Sequence, residues 1–115
     1  MTNARKRESA EVTVRLQQQA FTDSIRVTVH GHQEMVAEEI AYQDVREALL
    51  TCEVIEDYPD HQRGPCCLVC GRTSSGRFLH VVCTTTLKVI VIITVYEPKL
   101  PKWPTPFERG GRHEM

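Results

Sequence analysis

The chain has 115 residues, of which 41% are hydrophobic, 25% charged and 6% aromatic, enough for one compact domain with a modest core and too little for a multidomain assembly. Fourteen Lys and Arg against fifteen Asp and Glu leave a formal net charge of -1, without the strong positive excess of a chain built wholly around nucleic acid. No run approaches the about 18 apolar residues of a membrane-spanning helix, and no apolar signal stretch follows the basic start Arg5-Lys6-Arg7, so a cytoplasmic protein without membrane contact is expected.

Residues 1–24 mix four basic and three acidic side chains with the run Gln17-Gln18-Gln19 and scattered apolar positions, and read as a loosely held N-terminal arm. Val12, Val14 and Leu16 alternate as on an edge strand, whereas Leu16 and Ala20 suit a short helix, and the pattern favours neither. Ile25-Arg26-Val27-Thr28-Val29 is β-branched and alternating, which predicts a strand.

Met35, Val36 and Ile40 then fall at helical spacing, and Tyr42, Val45, Ala48, Leu49 and Cys52 form the stripe of an amphipathic helix over residues 43–51. Residues 53–58 give a short strand or extended link, and the Pro- and Gly-bearing residues 59–65 a loop. Three strands follow at 66–73, 77–85 and 88–97, with Thr73-Ser74-Ser75-Gly76 closing the first hairpin. Residues 89–96 are apolar on both strand faces and are expected at the centre of an antiparallel sheet.

The expected architecture is α+β: one short strand, two helices, then an antiparallel meander packed on the helices. Residues 25–103 form the single domain, and residues 104–115, entered through Pro98, Pro101, Pro104 and Pro106, read as a flexible tail. Charge follows the same division, because residues 26–58 carry two basic and eight acidic side chains and residues 59–115 carry eight basic and four acidic ones. The near-neutral total is therefore a cancellation, and a basic sheet can still meet RNA or an acidic partner segment.

Five Cys is a high count, but the number is odd and the expected compartment is reducing, so free thiols are predicted. Cys67 and Cys70 have knuckle spacing, which raises the reading of a zinc-binding regulator built on Cys66, Cys67 and Cys70. On a strand, however, alternation sends Cys67 and Cys70 to opposite faces, and no metal is expected.

The blocks His30 to Met35, Val45 to Tyr58, Gly76-Arg77-Phe78-Leu79-His80-Val81-Val82 and Val91-Ile92-Ile93-Thr94-Val95-Tyr96-Glu97-Pro98 resemble the bacterial domain-of-unknown-function family 4258, over residues 26–103. The resemblance implies a RelE/ParE toxin-like fold, a small zinc-finger antitoxin of the YgiT or MqsA type as partner, and metal-independent cleavage of mRNA with no cofactor. Where that family's helix typically reads H-A-x-x-R-M, this chain has His30-Gly31-His32-Gln33-Glu34-Met35; a following Arg-Gly becomes Glu38-Glu39, and a Ser before the next helix is Ala41.

Cleaving RNA without a metal needs a base, an acid and cations around the crowded phosphate. The residues able to supply these are His30, His80, Tyr96 and Arg72, with Arg77, Lys88, Lys102 and Trp103 as RNA contacts. On alternate strand positions His80 and Tyr96 meet if their strands pair in the right register. Each has a plainer reading: His30 as a junction hydrogen-bonder, His80 as a satisfied buried imidazole, Tyr96 as core, Arg72 and Arg77 as solvated hairpin charges, and Trp103 as an anchor on its own core or a partner. The anions at 34 and 38 favour the alternative of a catalytically inactive protein-interaction module on the same fold, and a long strand with an exposed edge makes homodimerisation reasonable.

Overall fold

The computed structural model describes residues 2–110. The chain runs α1 (Thr2–Phe21), β1 (Ile25–Val27), α2 (Val29–Ala37), α3 (Tyr42–Leu50), β2 (Glu53–Tyr58), β3 (Cys66–Arg72), β4 (Phe78–Thr84) and β5 (Ile90–Tyr96). The five strands form one sheet in the order β1-β5-β4-β3-β2. It is a mixed α+β fold, but a helix precedes the expected pattern, and the sheet is not wholly antiparallel because β1 lies parallel to β5.

The first departure follows from which apolar spacing is buried. Leu16 and Ala20, one turn apart, are 0% exposed, and Val12 a turn earlier packs against the same core, while Val14, which the strand reading required, stands 52% exposed. Residues 2–21 therefore form a helix rather than a loose arm. Side chains fasten it: Gln19 donates to the Leu87 and Lys88 carbonyls, and Arg15 to Leu87. Arg46 of α3 donates to the Ala20 and Phe21 carbonyls at 2.8 and 3.0 Å, placing a cation where the helix leaves its last carbonyls unsatisfied.

The second departure is the place of β5. It is interior, as its apolar run requires, but β4 is the central strand of the five, and β1 covers only the first half of β5, Ile25 to Val27 opposite Ile90 to Ile92. Beyond Val27 the outward N–H groups of β5 would be bare, and α2 supplies their acceptors. Glu34 Oε1 accepts from Val95 N and Glu38 Oε1 from Glu97 N, each at 2.9 Å. The two anions are thus side-chain substitutes for a neighbouring strand. Replacing both with Ala should cost about 1–3 kcal/mol per orphaned N–H. The check is amide exchange, which should speed up at Val95 and Glu97; unchanged protection there would refute this role.

Local chemistry sets the helix boundaries. Thr28 caps α2, its hydroxyl accepting from Gly31 N at 3.0 Å. At α3, Ala41 lacks a hydroxyl, but Asp44 Oδ2 still accepts the Ala41 N–H at 2.9 Å, half of a capping box. Between helices and sheet lies the core, where Leu16, Met35, Val45 and Leu49 meet Cys67, Val69, Leu79, Val81, Ile92 and Val95. Gly71 lets α3 approach β3 so closely that a Cβ there would sit 1.8 Å from the Ala48 carbonyl oxygen.

All five cysteines are buried free thiols. Cys67 belongs to the helix-side core with Cys52 and Cys83, whereas alternation along β3 puts Cys66 and Cys70 on the other face. Burial pushes Cys52 and Cys70 up to about 12, so both stay protonated. Among the described residues no three of His, Cys, Asp and Glu come together as metal ligands, and no helix is long and apolar enough to cross a membrane.

Candidate functional site beneath the C-terminal strap

The face of the sheet turned away from the helices carries Cys70, His80 and Tyr96 side by side, because Cys70 pairs with His80 and His80 with Tyr96. Residues 99–110 lie across it as a strap. Residues 104–110 are thus packed rather than a flexible tail, and residues 111–115 of that predicted tail lie outside the described residues. Internal bonds close the strap on itself: Trp103 N donates to the Lys99 carbonyl, Gly110 N to Lys102, and Thr105 bridges to Glu108.

His80 sits at the centre and is 0% exposed. Its Nε2 is 2.5 Å from the Pro106 carbonyl oxygen, which can only accept, so Nε2 carries the proton. Nδ1 is then the acceptor for the Tyr96 hydroxyl at 3.1 Å. The Trp103 ring packs edge-on against the imidazole, with centroids 4.3 Å apart. Burial pulls the His80 pKa below its usual value and pushes that of Tyr96 up, so both rings are held neutral.

Beside them β2 brings in a second group. The Glu56 carboxylate accepts from Arg109 twice, from Nε at 3.0 Å and Nη2 at 2.8 Å, and from the Tyr58 hydroxyl at 2.5 Å. The Arg109 guanidinium also lies over Trp103, 4.8 Å from the ring centre. Burial, with Glu56 adding to it, raises the Tyr58 phenol to about 12. The Trp103 Nε1–H faces the Tyr96 side chain but makes no well-formed hydrogen bond. Further along the strap Phe107 meets Phe78 edge-on at 5.7 Å, and Arg72 stacks on the other ring at 5.4 Å.

Of the four residues expected to act on RNA, only His80 and Tyr96 touch. His30 is on α2, on the helix side, with its side chain 64% exposed and 3.4 Å from Glu34. Arg72 shares the face of His80 but is exposed at the strand end, engaged with Phe78. The expected RNA contacts are scattered too. Arg77 donates to the Glu38 and Glu39 carbonyls and to Glu97, which ties the end of α2 to β5. Lys88 is exposed in the β4–β5 turn, Lys102 is exposed on the strap, and Trp103 is buried beneath it.

Sequence reasoning missed Glu56, Tyr58 and Arg109. Glu56 and Tyr58 stand two apart on a strand and so share a face, a signal present in the sequence. Arg109 had none, because nothing local says that a proline-rich end folds back. Glu56 and Tyr58 also border an open cleft of about 950 Å³ between the first half of α1 and β2, lined by Ser9, Val12, Val54, Asp57 and Cys67 among others, which His80, Tyr96 and Arg109 do not line.

The arrangement defines an α+β domain whose strapped sheet face pairs an imidazole with a phenol and a carboxylate with a guanidinium. The chain belongs to the DUF4258 family, a domain of unknown function whose model matches residues 27–97, well over half of the chain. No curated protein and no solved structure matches it. The match ends before the strap, so the sheet-side half of the site, from Glu56 to Tyr96, falls within the family domain and Trp103 to Arg109 outside the matched span.

Proposed function

We propose that the protein is a catalytically inactive protein-interaction module built on a RelE/ParE toxin-like domain. One observation carries this reading: His80 is fully covered, with both ring nitrogens engaged inside the protein. An imidazole so placed has no free lone pair to take a proton from a 2′-hydroxyl. The partner that the family resemblance implies is a small zinc-finger antitoxin in the same cytoplasm. Purified protein incubated with mRNA should leave it intact, and overexpression of the wild type and of His80→Ala should affect growth alike. Cleavage that disappears in His80→Ala would overturn the proposal.

A second reading, a toxin acting as a metal-independent endoribonuclease, draws on the meeting of His80 and Tyr96 across β4 and β5. It requires the strap to leave the sheet, and then Tyr96→Phe should lower cleavage as His80→Ala does.

A further inference from the structure

The strap is attached to the rest of the protein as a ligand would be. Among the described residues, every backbone-to-backbone hydrogen bond of residues 99–110 stays within that segment, and none joins it to a strand. Its hold on the sheet passes through four features. Trp103 packs on His80, the Pro106 carbonyl receives the His80 Nε2–H, Phe107 packs on Phe78, and Arg109 lies on Glu56. Apart from Trp103 the segment is exposed or half-exposed along its whole length. A chain segment integral to a sheet shares main-chain bonds with it, whereas a bound peptide that fills pockets is held by anchors of this kind.

We infer that the sheet face bearing Glu56, His80 and Tyr96 is a peptide-binding surface occupied by the chain's own strap, and that a partner protein takes the same surface with a segment of the same chemistry. That segment is proline-bearing and folded back through turns, with an aromatic anchor followed by an arginine. Each requirement is set by what the sheet presents. The imidazole offers a perpendicular ring contact and one N–H donor for a carbonyl. Glu56, already accepting from Tyr58, offers a half-buried carboxylate whose match is a bidentate guanidinium, a geometry that lysine lacks. The intramolecular strap competes at the high effective concentration that a short tether gives, on the order of millimolar, so the surface is closed until a partner outcompetes it or the strap is weakened. This inference rests on the interaction-module reading and names the surface and the partner that it left open.

The test uses the full-length chain and a synthetic peptide of residues 99–110. Trp103 is the chain's single tryptophan, so in Trp103→Ala the indole of the added peptide is the only one present and its fluorescence reports binding directly. The peptide should bind Trp103→Ala saturably and at least about 10-fold more tightly than the wild type. The same peptide carrying Arg109→Ala should bind at least about 10-fold more weakly. Arg109→Ala in the protein loses the partly exposed Glu56 ion pair and the stacking on Trp103 but removes no core side chain, so it serves as the second weakened-strap variant, read by a labelled peptide. Absence of binding to both folded variants, or equal binding of the two peptides, overturns the inference. A variant that dimerises by exchanging straps makes a second copy the occupant and overturns the partner assignment. Cleavage of mRNA by the wild type would sink the interaction-module reading alone, and peptide binding would still decide whether the surface exists.

Discussion

Gly71→Ala is expected to destabilise the protein by more than about 3 kcal/mol, beyond the usual cost of an added methyl group in a core. The Cβ would fall 1.8, 2.4 and 2.8 Å from the carbonyl oxygen, carbonyl carbon and Cα of Ala48. All three are backbone atoms of α3, so no side chain can turn aside, and relief requires the helix to back away from β3. That movement would open the packing of Ala48 and Leu49, which are 1% and 0% exposed. It would also strain the bonds between Thr51 Oγ1 and the Arg72 backbone, at 2.9 and 3.2 Å. Thermal unfolding followed by circular dichroism should show a midpoint lower by at least about 12 °C, at roughly 4 °C or more per kcal/mol for a domain of this size. A change of under about 1 kcal/mol would mean that α3 is not seated on β3 as described.

The second large effect is expected from Trp103→Ala, at about 3–5 kcal/mol for removing a buried aromatic ring. It should also change how stability depends on pH. In the wild type, burial depresses the His80 pKa, so an unfolded chain takes up a proton near pH 6.5 that the folded chain refuses. The contribution of the neutral imidazole is therefore complete above about pH 6.5 and is lost as pH falls through the folded pKa. Without the indole above it, His80 is wetter and its pKa returns toward the ordinary value, so the loss of stability on acidification should be shallower. Urea unfolding of both proteins between pH 7.5 and 5 measures this, and parallel pH profiles would show that the Trp103 ring does not seal His80.

How far the sequence disclosed these features depended on whether the signal was local. The stripe of Val45, Ala48 and Leu49 and the apolar run of β5 carry their own periodicity, so α3 and the later strands emerge close to their observed limits. The first helix does not, because its buried stripe is only Val12, Leu16 and Ala20 in an otherwise polar segment, and it is fixed largely by tertiary bonds from Arg46 and to Leu87. The parallel pairing of β1 with β5 joins residues 65 apart, which no local pattern encodes. For the site, the pairing of His80 with Tyr96 follows from strand alternation once the register is known. The partnership of Glu56 with Arg109 spans 53 residues and two unlike segments, and proline spacing alone reads as an ending instead of a return. Glu34 and Glu38, read as lost cations, prove to be acceptors for β5.

Those two acceptors bear on how copies of this protein can join. A sheet that is open on both sides can add strands without end, in the manner of a fibre. Here one side finishes in a strand of three residues, with carboxylates plugging the stretch of β5 that the strand does not reach. Joining through sheet edges is left to β2, where a bulge at Ile55 and the exposed charges of Glu53 and Asp57 limit the fit. Two copies meeting there use up the available edge of each, so such an assembly closes at a pair, and a polymer would first have to pull α2 from its place.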